Sequence, residues 1–403
     1  MTDDEFVAPA ASLPERAHAV FPLIAQWIFS EPMAELLAAF DQRLPAPGAP
    51  WDGAADDAAT WLHLDDALPE AVRPIFDEGV VALAGLSPEQ TDTLRRTLAI
   101  ERMAAGPFNF RANGAQYRER SQVAMADFVD GLRERILVLA DGLGLGTPQP
   151  PRRRRYDRTL ILGGGYQSPQ LRTRHAAQLR AGGIDLGQIS LLGSPRFLMV
   201  ETNEAGAVQD YAPDAVDEFD LMIGAARTEF GLRPEPVRLL CGCAATDQLC
   251  PSWLSLHITG GQATPPQYTH ERTVELLDGS GRPVAVALSA HTSRPPYRPD
   301  TGDTLALWSR LAGPRAGEQV LLVTSQPFVP FQVFDSLRRL YLPHGLDIDV
   351  VAFPPEWSDR FSTAESFLQE TLSAIRSARR LLVDATVALT PAAPPSPGAA
   401  GER

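Results

Sequence analysis

The sequence predicts an α/β protein: a doubly wound, mostly parallel Rossmann-like sheet preceded by an α-helical N-terminal region. Three observations predict it. From residue 156 onward, short apolar runs alternate with stretches of helical length and period, the pattern of a sheet with helices on its faces. Several of those runs, such as LLVT at 321–324 and DVVAF at 349–353, show little polar alternation, as strands buried on both faces do. The run TLILGGGYQSP at 159–169 joins a strand to a glycine-rich turn and a helix start, a junction at which such sheets bind anions.

Composition narrows the function classes. The 403 residues carry a formal charge of −14, and 44% of them are hydrophobic. The length accommodates two domains or one large one with an appendage. Nucleic acid is an unlikely partner for so acidic a chain, because phosphate neutralisation needs a basic face. All 36 basic residues are arginine. Schiff-base chemistry, a phosphate-loop lysine and a lysine general base are therefore excluded. The abundance of Arg, Ala and Pro is what a GC-rich genome produces. The start, MTDDE, is acidic rather than a basic, apolar leader, and no run of 18 apolar residues occurs. The expectation is a cytoplasmic protein with no membrane span. Cys241, Cys243 and Cys250 cannot all pair within one chain, in keeping with a reducing compartment.

The elements follow in order. Residues 1–12 read as a disordered tail and 13–150 as the helical region. Phe21, Ile24, Trp27 and Ile28 form one helical stripe, and Met33, Leu36, Leu37, Phe40 and Leu44 a second. Ser87-Pro88-Glu89-Gln90 is a helix start with a cap, Pro in the first turn and Gln at the third position. Apolar spacing predicts a long helix over 119–140. The stretch GLGLGTPQPPRRRR at 142–155 reads as a linker. Arg152, Arg153, Arg154 and Arg155 there are either a phosphate or nucleic-acid patch or a solvated lead-in to the first strand, the second being preferred because short basic runs are weak motifs. The α/β domain is expected over 156–387. Its strands are predicted at 159–162, 188–192, 237–241, 284–289, 319–324 and 347–353, and its helices at 168–181, 214–230, 301–312, 328–340 and 362–380. Ser362 and Glu365 have capping-box spacing before the last helix. The Pro/Ala/Gly-rich stretch 388–403 is expected to be disordered.

The candidate ligand-binding residues are Gly163, Gly164, Gly165, Ser168, Arg172, Arg174, Thr324 and Ser325. Glycines admit close backbone approach, and Ser168 can cap the helix with Pro169 behind it. Arg172 and Arg174 lie two apart, so one should face the ligand and the other solvent or a carboxylate. Thr324 and Ser325 end a buried strand, where hydroxyls either meet a ligand or cap the next helix. The spacing lacks GxGxxG, so ordinary dinucleotide binding is not expected. The candidate catalytic residues are Glu218, Glu201 and Asp303, as general bases or as partners of arginine. Asp303, with Asp300 and Thr301, is equally placed to cap a helix. Glu204 is a further acidic candidate. The cysteines with His257 match no zinc spacing, and no metal site is expected. His175, His257, His270 and His291 are scattered; His291 follows a strand end and is the one placed for chemistry.

In sequence these motifs run LGGG, Ser168, Arg172 with Ala176, Leu192-Gly193-Ser194, Glu218, Thr301-Gly302-Asp303-Thr304 and Val323-Thr324-Ser325. Their order over about 156–355 resembles the SanA/YdcF/ElyC group of Rossmann-like bacterial proteins. The resemblance implies a small-molecule ligand: a nucleotide or an S-adenosylmethionine-like cofactor. In that group a Tyr-His pair and an Arg usually follow the Thr-Ser strand. Here Pro327, Phe328 and Phe331 stand there. Many members also carry a membrane anchor, and none is expected here. The expectation is an enzyme, a transferase or hydrolase of small molecules, or alternatively a non-catalytic binding protein of the same fold.

Overall fold

The structure, a computed structural model, describes residues 12–48, 83, 85–113, 116–117, 123–199, 203–240, 270–291, 299–358 and 362–390. Its principal helices are α1 (Leu13–Ile28), α2 (Glu31–Ala38), α3 (Pro88–Ala105), α4 (Leu132–Gly142), α5 (Ser168–Ala181), α6 (Glu218–Phe230), α7 (Thr301–Ala312), α8 (Val329–Ser336) and α9 (Ala364–Leu389). The principal strands are β1 (Arg158–Leu162), β2 (Gln188–Gly193), β3 (Arg272–Leu277), β4 (Pro283–Ser289), β5 (Gln319–Ser325) and β6 (Asp347–Phe353).

The six strands lie in the order β6-β5-β1-β2-β4-β3. All neighbours are parallel except β4 and β3. Two short strands, Arg233–Pro234 and Arg238–Leu239, also pair antiparallel with β3. The fold is thus mixed α/β around a mostly parallel sheet. The antiparallel β3 was not foreseen, because its burial alternates along RTVELL and it lacks the continuous apolar run of the parallel strands.

Alternation along each strand divides the core. Ile161, Leu191, Val323 and Val351 face the side covered by α5 and α6. Leu160, Leu192, Leu322 and Ile348 face the other side, in one apolar cluster with α7, α8, α9 and the N-terminal helices. The stripes read in α1 and α2 point into that cluster, with Phe21, Ile24, Ile28, Met33, Leu36 and Leu37 buried. Ser87 and Gln90 form the predicted capping box of α3.

Several element boundaries differ from expectation. Between 123 and 131 the described chain is not helical, and α4 begins only at Leu132. Phe128 stands edge-on to Phe40 and Phe110, so apolar residues at near-helical spacing serve an irregular segment. The strand expected over 237–241 is reduced to Arg238–Leu239, and Cys241 lies outside the described residues. The helix expected over 328–340 is broken into a 3-10 turn at Gln326–Phe328, then α8, then a π-turn at Leu337–Tyr341. The final helix, expected over 362–380, runs from Ala364 to Leu389, past the domain boundary expected at 387.

Its cap is Thr363, whose hydroxyl accepts from Ser366 N–H at 3.2 Å, not the predicted Ser362–Glu365 box. Glu365 instead accepts from both terminal nitrogens of Arg133, at 2.8 and 2.9 Å, and from Ala126 N–H at 2.9 Å. Burial works to raise its pKa, but those bonds outweigh it and hold the carboxyl below its ordinary range. Its stabilisation is therefore present above the unfolded-state pKa and is lost as pH falls through the lower folded value. Glu365→Gln should cost about 1–2 kcal/mol at pH 7, given the partly open Arg133. The difference between variant and parent should shrink as the solution is acidified below the ordinary carboxylate range, as read from urea midpoints along a pH series.

Candidate functional site

The carboxyl ends of β1, β2, β4 and β5 form one polar edge. Gly163, just past β1, donates its N–H to Leu192 O at 2.7 Å, and Ser168 N–H closes the turn onto Gly165 O at 2.7 Å. A Cβ at position 163 would lie 1.9 Å from Glu218 Oε1 and 2.7 Å from Leu192 O. Only glycine lets that carboxylate lie against the turn. Gly164 has φ +155, and a Cβ there would meet Ser168 Cβ at 3.1 Å and Arg172 Nη1 at 3.2 Å. Among the described residues, the N–H groups of Gly164, Gly165 and Gln167 have no acceptor.

Arg172 is buried beneath this turn. Its Nη1 donates to Gly163 O and, at 3.1 Å, to Leu162 O, while its Nε donates to Ser325 Oγ at 3.1 Å. It therefore ties the end of β1 to the end of β5. The Phe328 ring lies 5.9 Å from its guanidinium carbon, where the family resemblance would put polar groups.

The other predicted ligand residues divide. Arg174 projects away from the turn and pairs with Glu229 at 3.1 Å, as helical geometry requires of its neighbour two residues on. Ser168 is buried as the first residue of α5; Gln167 occupies the cap position and Ser168 makes no capping bond. Ser325 meets Arg172, but Thr324 points to the opposite face of the sheet, where its buried hydroxyl has no partner.

Of the catalytic candidates, Glu218 is at the site. It is buried at the start of α6, its Oε2 accepts from Ser194 Oγ at 3.1 Å, and Arg196 Nε lies 3.6 Å from the same oxygen. Arg196 also pairs with the buried Glu204 at 3.1 Å. Glu201 lies outside the described residues, as do Cys241, Cys243, Cys250 and His257. Asp303 is a capping residue: Asp300 accepts from its N–H at 3.1 Å and it accepts from Asp300 N–H at 3.0 Å. That reciprocal box accounts for Asp303 at the start of α7.

Sequence reasoning missed Asp217 and Arg272, a fully buried ion pair beside Glu218. Burial pushes the Asp217 carboxyl up to about 7 against the pull of Arg272. The visible signal was the Asp217–Asp220 spacing, which forms the cap of α6. His291 Nδ1 lies 2.7 Å from Glu271 Oε1, and Arg310 donates to Glu271 Oε2 at 2.6 Å. His175, inside α5, is held down to about 4 by burial and meets the Trp357 ring edge-on. Two members of the basic run are held by buried carboxylates, Arg152 by Asp349 and Arg153 by Asp347, while Arg155 is exposed with Asp185 at 3.7 Å. No cluster of three metal-ligating side chains occurs among the described residues. An open recess of about 870 Å³ lies over β2, β3 and β4 beside Trp308, lined by Ser190, Val284, Val286 and Leu311. Arg180, Asp185, Glu275 and Arg282 also line it, and it does not include the glycine turn.

Over 353 aligned residues the chain is 30% identical to the uncharacterized protein Rv3785 of Mycobacterium tuberculosis and to the uncharacterized protein Mb3814 of Mycobacterium bovis. The alignment covers 83% of this chain and 92% of either relative. The chain belongs to this mycobacterial protein family. The shared length takes in far more than the glycine turn, so the helical region and the sheet travel together in the family. No protein-family model matches the chain, and no solved structure matches it. No helix among the described residues is long and apolar enough to cross a membrane.

The two arginines of α5 should separate in a stability measurement. Arg172→Ala strands the carbonyls it holds and should cost about 2–4 kcal/mol. Arg174→Ala breaks a half-exposed pair and should cost under about 1 kcal/mol. Equal urea midpoints for the two variants would contradict this assignment.

Proposed function

We propose that the chain is a cytoplasmic enzyme, a transferase or hydrolase, acting on a nucleotide-like or phosphorylated small molecule bound at the carboxyl edge of a Rossmann-like sheet. One observation carries the reading: acceptor-less N–H groups at Gly164, Gly165 and Gln167 lie beside the buried guanidinium of Arg172. From β1 the strand order runs through β2 and β4 to one side and through β5 and β6 to the other. Ligands of open α/β sheets bind where the order reverses in this way. Free N–H groups at the start of a helix, reinforced by a cation, favour an anion there. This supports the Rossmann-like assignment and the SanA-group resemblance together.

Glu218 is the residue proposed for acid–base work. Its Oε1 lies against the turn and its Oε2 is oriented by Ser194 and Arg196, so a molecule in the cradle would meet a fixed carboxylate. An S-adenosylmethionine-like ligand is the alternative occupant, since its sulfonium would sit well beside that carboxylate. The non-catalytic alternative draws on Phe328, an apolar ring beside Arg172. Nucleic acid is a poor candidate partner, because the chain carries a formal charge of −14 and Arg152 and Arg153 already face carboxylates.

ADP or S-adenosylmethionine should raise the melting temperature of the parent protein. The rise should disappear in Arg172→Ala and Gly164→Val, each compared with its own ligand-free melting point. Glu218→Gln should keep the rise and lose any turnover seen by mass spectrometry of the mixture. Undiminished shifts in both cradle variants would remove the site; turnover by Glu218→Gln would remove its role.

A further inference from the structure

Ser194 is the first residue past β2. β1 and β2 stay in register to Leu162 and Leu192, and the bond from Gly163 N–H to Leu192 O carries that ladder beyond the strands. Ser194 therefore comes opposite the glycine turn, about 5 Å away at the usual strand spacing. Its carbonyl accepts from Phe219 N–H at 3.1 Å, and the Arg196 carbonyl accepts from Glu218 N–H at 3.0 Å. Residues 194–196 are thus laced to the first turn of α6.

The Ser194 hydroxyl donates to Glu218 Oε2 at 3.1 Å and accepts from Arg196 N–H at 3.3 Å. A hydroxyl has one proton and two lone pairs, so one lone pair on Oγ is not used by these bonds. The carboxylate is held on both sides: its Oε1 lies against Gly163, and Arg196 Nε is 3.6 Å from its Oε2. Arg196 is fixed in turn by Glu204 at 3.1 Å, and Glu204 also accepts from Met199 N–H at 2.9 Å. Ser194 and the three glycines are only half-buried, so hydroxyl and turn both keep access to solvent. A serine turn onto the N–H two residues ahead explains the bond from Arg196. It does not explain why the hydroxyl proton is aimed at a carboxylate that is itself pinned to the glycine turn.

A hydroxyl, a carboxylate that accepts its proton and a group that orients the carboxylate make up an activated nucleophile. Opposite it, the N–H groups of Gly164, Gly165 and Gln167 provide donors for oxygens on which charge develops. An acyl group would present one such oxygen. A phosphoryl group presents three, which matches the three donors and the buried guanidinium of Arg172 beneath them.

Resting on the cradle reading above, the geometry points to Ser194 as a nucleophile that takes the phosphoryl group of a phosphate monoester held at the turn, with Glu218 as its base. Oγ attacks phosphorus and its proton passes to Glu218 Oε2. The Oγ–P bond forms as the P–O bond to the leaving group breaks; that electron pair stays on the leaving oxygen, which takes a proton from water. A water or an acceptor hydroxyl then attacks the phosphoserine and gives its proton to solvent. Oγ leaves with the P–O electron pair and recovers its proton from Glu218, and no oxidant or reductant takes part. Arg196 and Glu204 are positioning residues.

The experiment titrates the full-length protein with inorganic phosphate and with orthovanadate, following the melting temperature and the vanadium-51 spectrum. Vanadate accepts a fifth oxygen ligand, as phosphorus does in transit, so a nucleophile beside it turns it into a transition-state analogue. Both anions should raise the melting temperature of the parent, vanadate should bind about a hundredfold more tightly than phosphate, and its bound signal should be five-coordinate. In Ser194→Ala, phosphate binding should persist while vanadate falls to the level of phosphate with a four-coordinate signal; a hydroxyl that only shapes the turn would leave the ratio unmoved. In Arg172→Ala both anions should weaken together. Vanadate that binds the parent no better than phosphate, or without a five-coordinate signal, overturns the nucleophile and leaves the cradle standing, and the parent alone decides this if the variant does not fold. Five-coordinate vanadate that persists in Ser194→Ala overturns it equally. If neither anion raises the melting temperature, the cradle and the nucleophile fall together.

Discussion

The structure depends on the enclosure of α9. This helix is buried along almost its whole length and on nearly every side, from Ala364 to Thr386. A helix of that kind must be surrounded, because its apolar surface has no face to give to water. It packs on α8 from the sheet side and on α1, α3 and α4 from the other. The N-terminal helices, the sheet and the end of the chain therefore share one core. Charge is handled within that core by pairing: Glu101 of α3 lies 2.7 Å from Arg379 and 3.6 Å from Arg376, and Glu365 is held by Arg133. Such pairs contribute little net attraction once desolvation is counted, but leaving one member alone would be costly. They thus tie the position of α9 to that of α3 and to the segment before α4.

A chain without lysine does all its cationic work with arginine, and arginine's planar fork shapes the carboxyl edge. Arg172 donates to two carbonyls and a hydroxyl at once, Arg196 reaches Glu204 and Glu218, and Arg272 is held by Asp217. A lysine ammonium could not span these partners in one rigid plane. The guanidinium groups hold carboxylates and strand ends in place, and among the described residues the amide N–H groups of Gly164, Gly165 and Gln167 at the turn keep no acceptor.

The glycine turn, the strands around it and the helix stripes were legible because they rest on local patterns. Three glycines after an apolar strand imply close backbone approach, and Glu218 Oε1 does approach Gly163 that closely. The separation of Arg172 from Arg174 was legible from helical periodicity. The irregular stretch before α4 and the antiparallel β3 were not. In the first, aromatic residues at near-helical spacing serve a segment pinned by Arg133 and Glu365. In the second, a half-buried edge strand carries no continuous apolar signal.

Which side chains meet across the fold is a different kind of information. By itself the sequence determined the α/β class, the turn at residues 163–165 and the arginine-only electrostatics, since each follows from composition or from residues adjacent in the chain. Only the tertiary structure decided that Ser325 joins Arg172 while Thr324 turns to the other face, that Asp303 caps a helix, and that Glu271 meets His291. Those outcomes rest on strand register and on the alternation of a pleated sheet, where a shift of one residue exchanges the two faces.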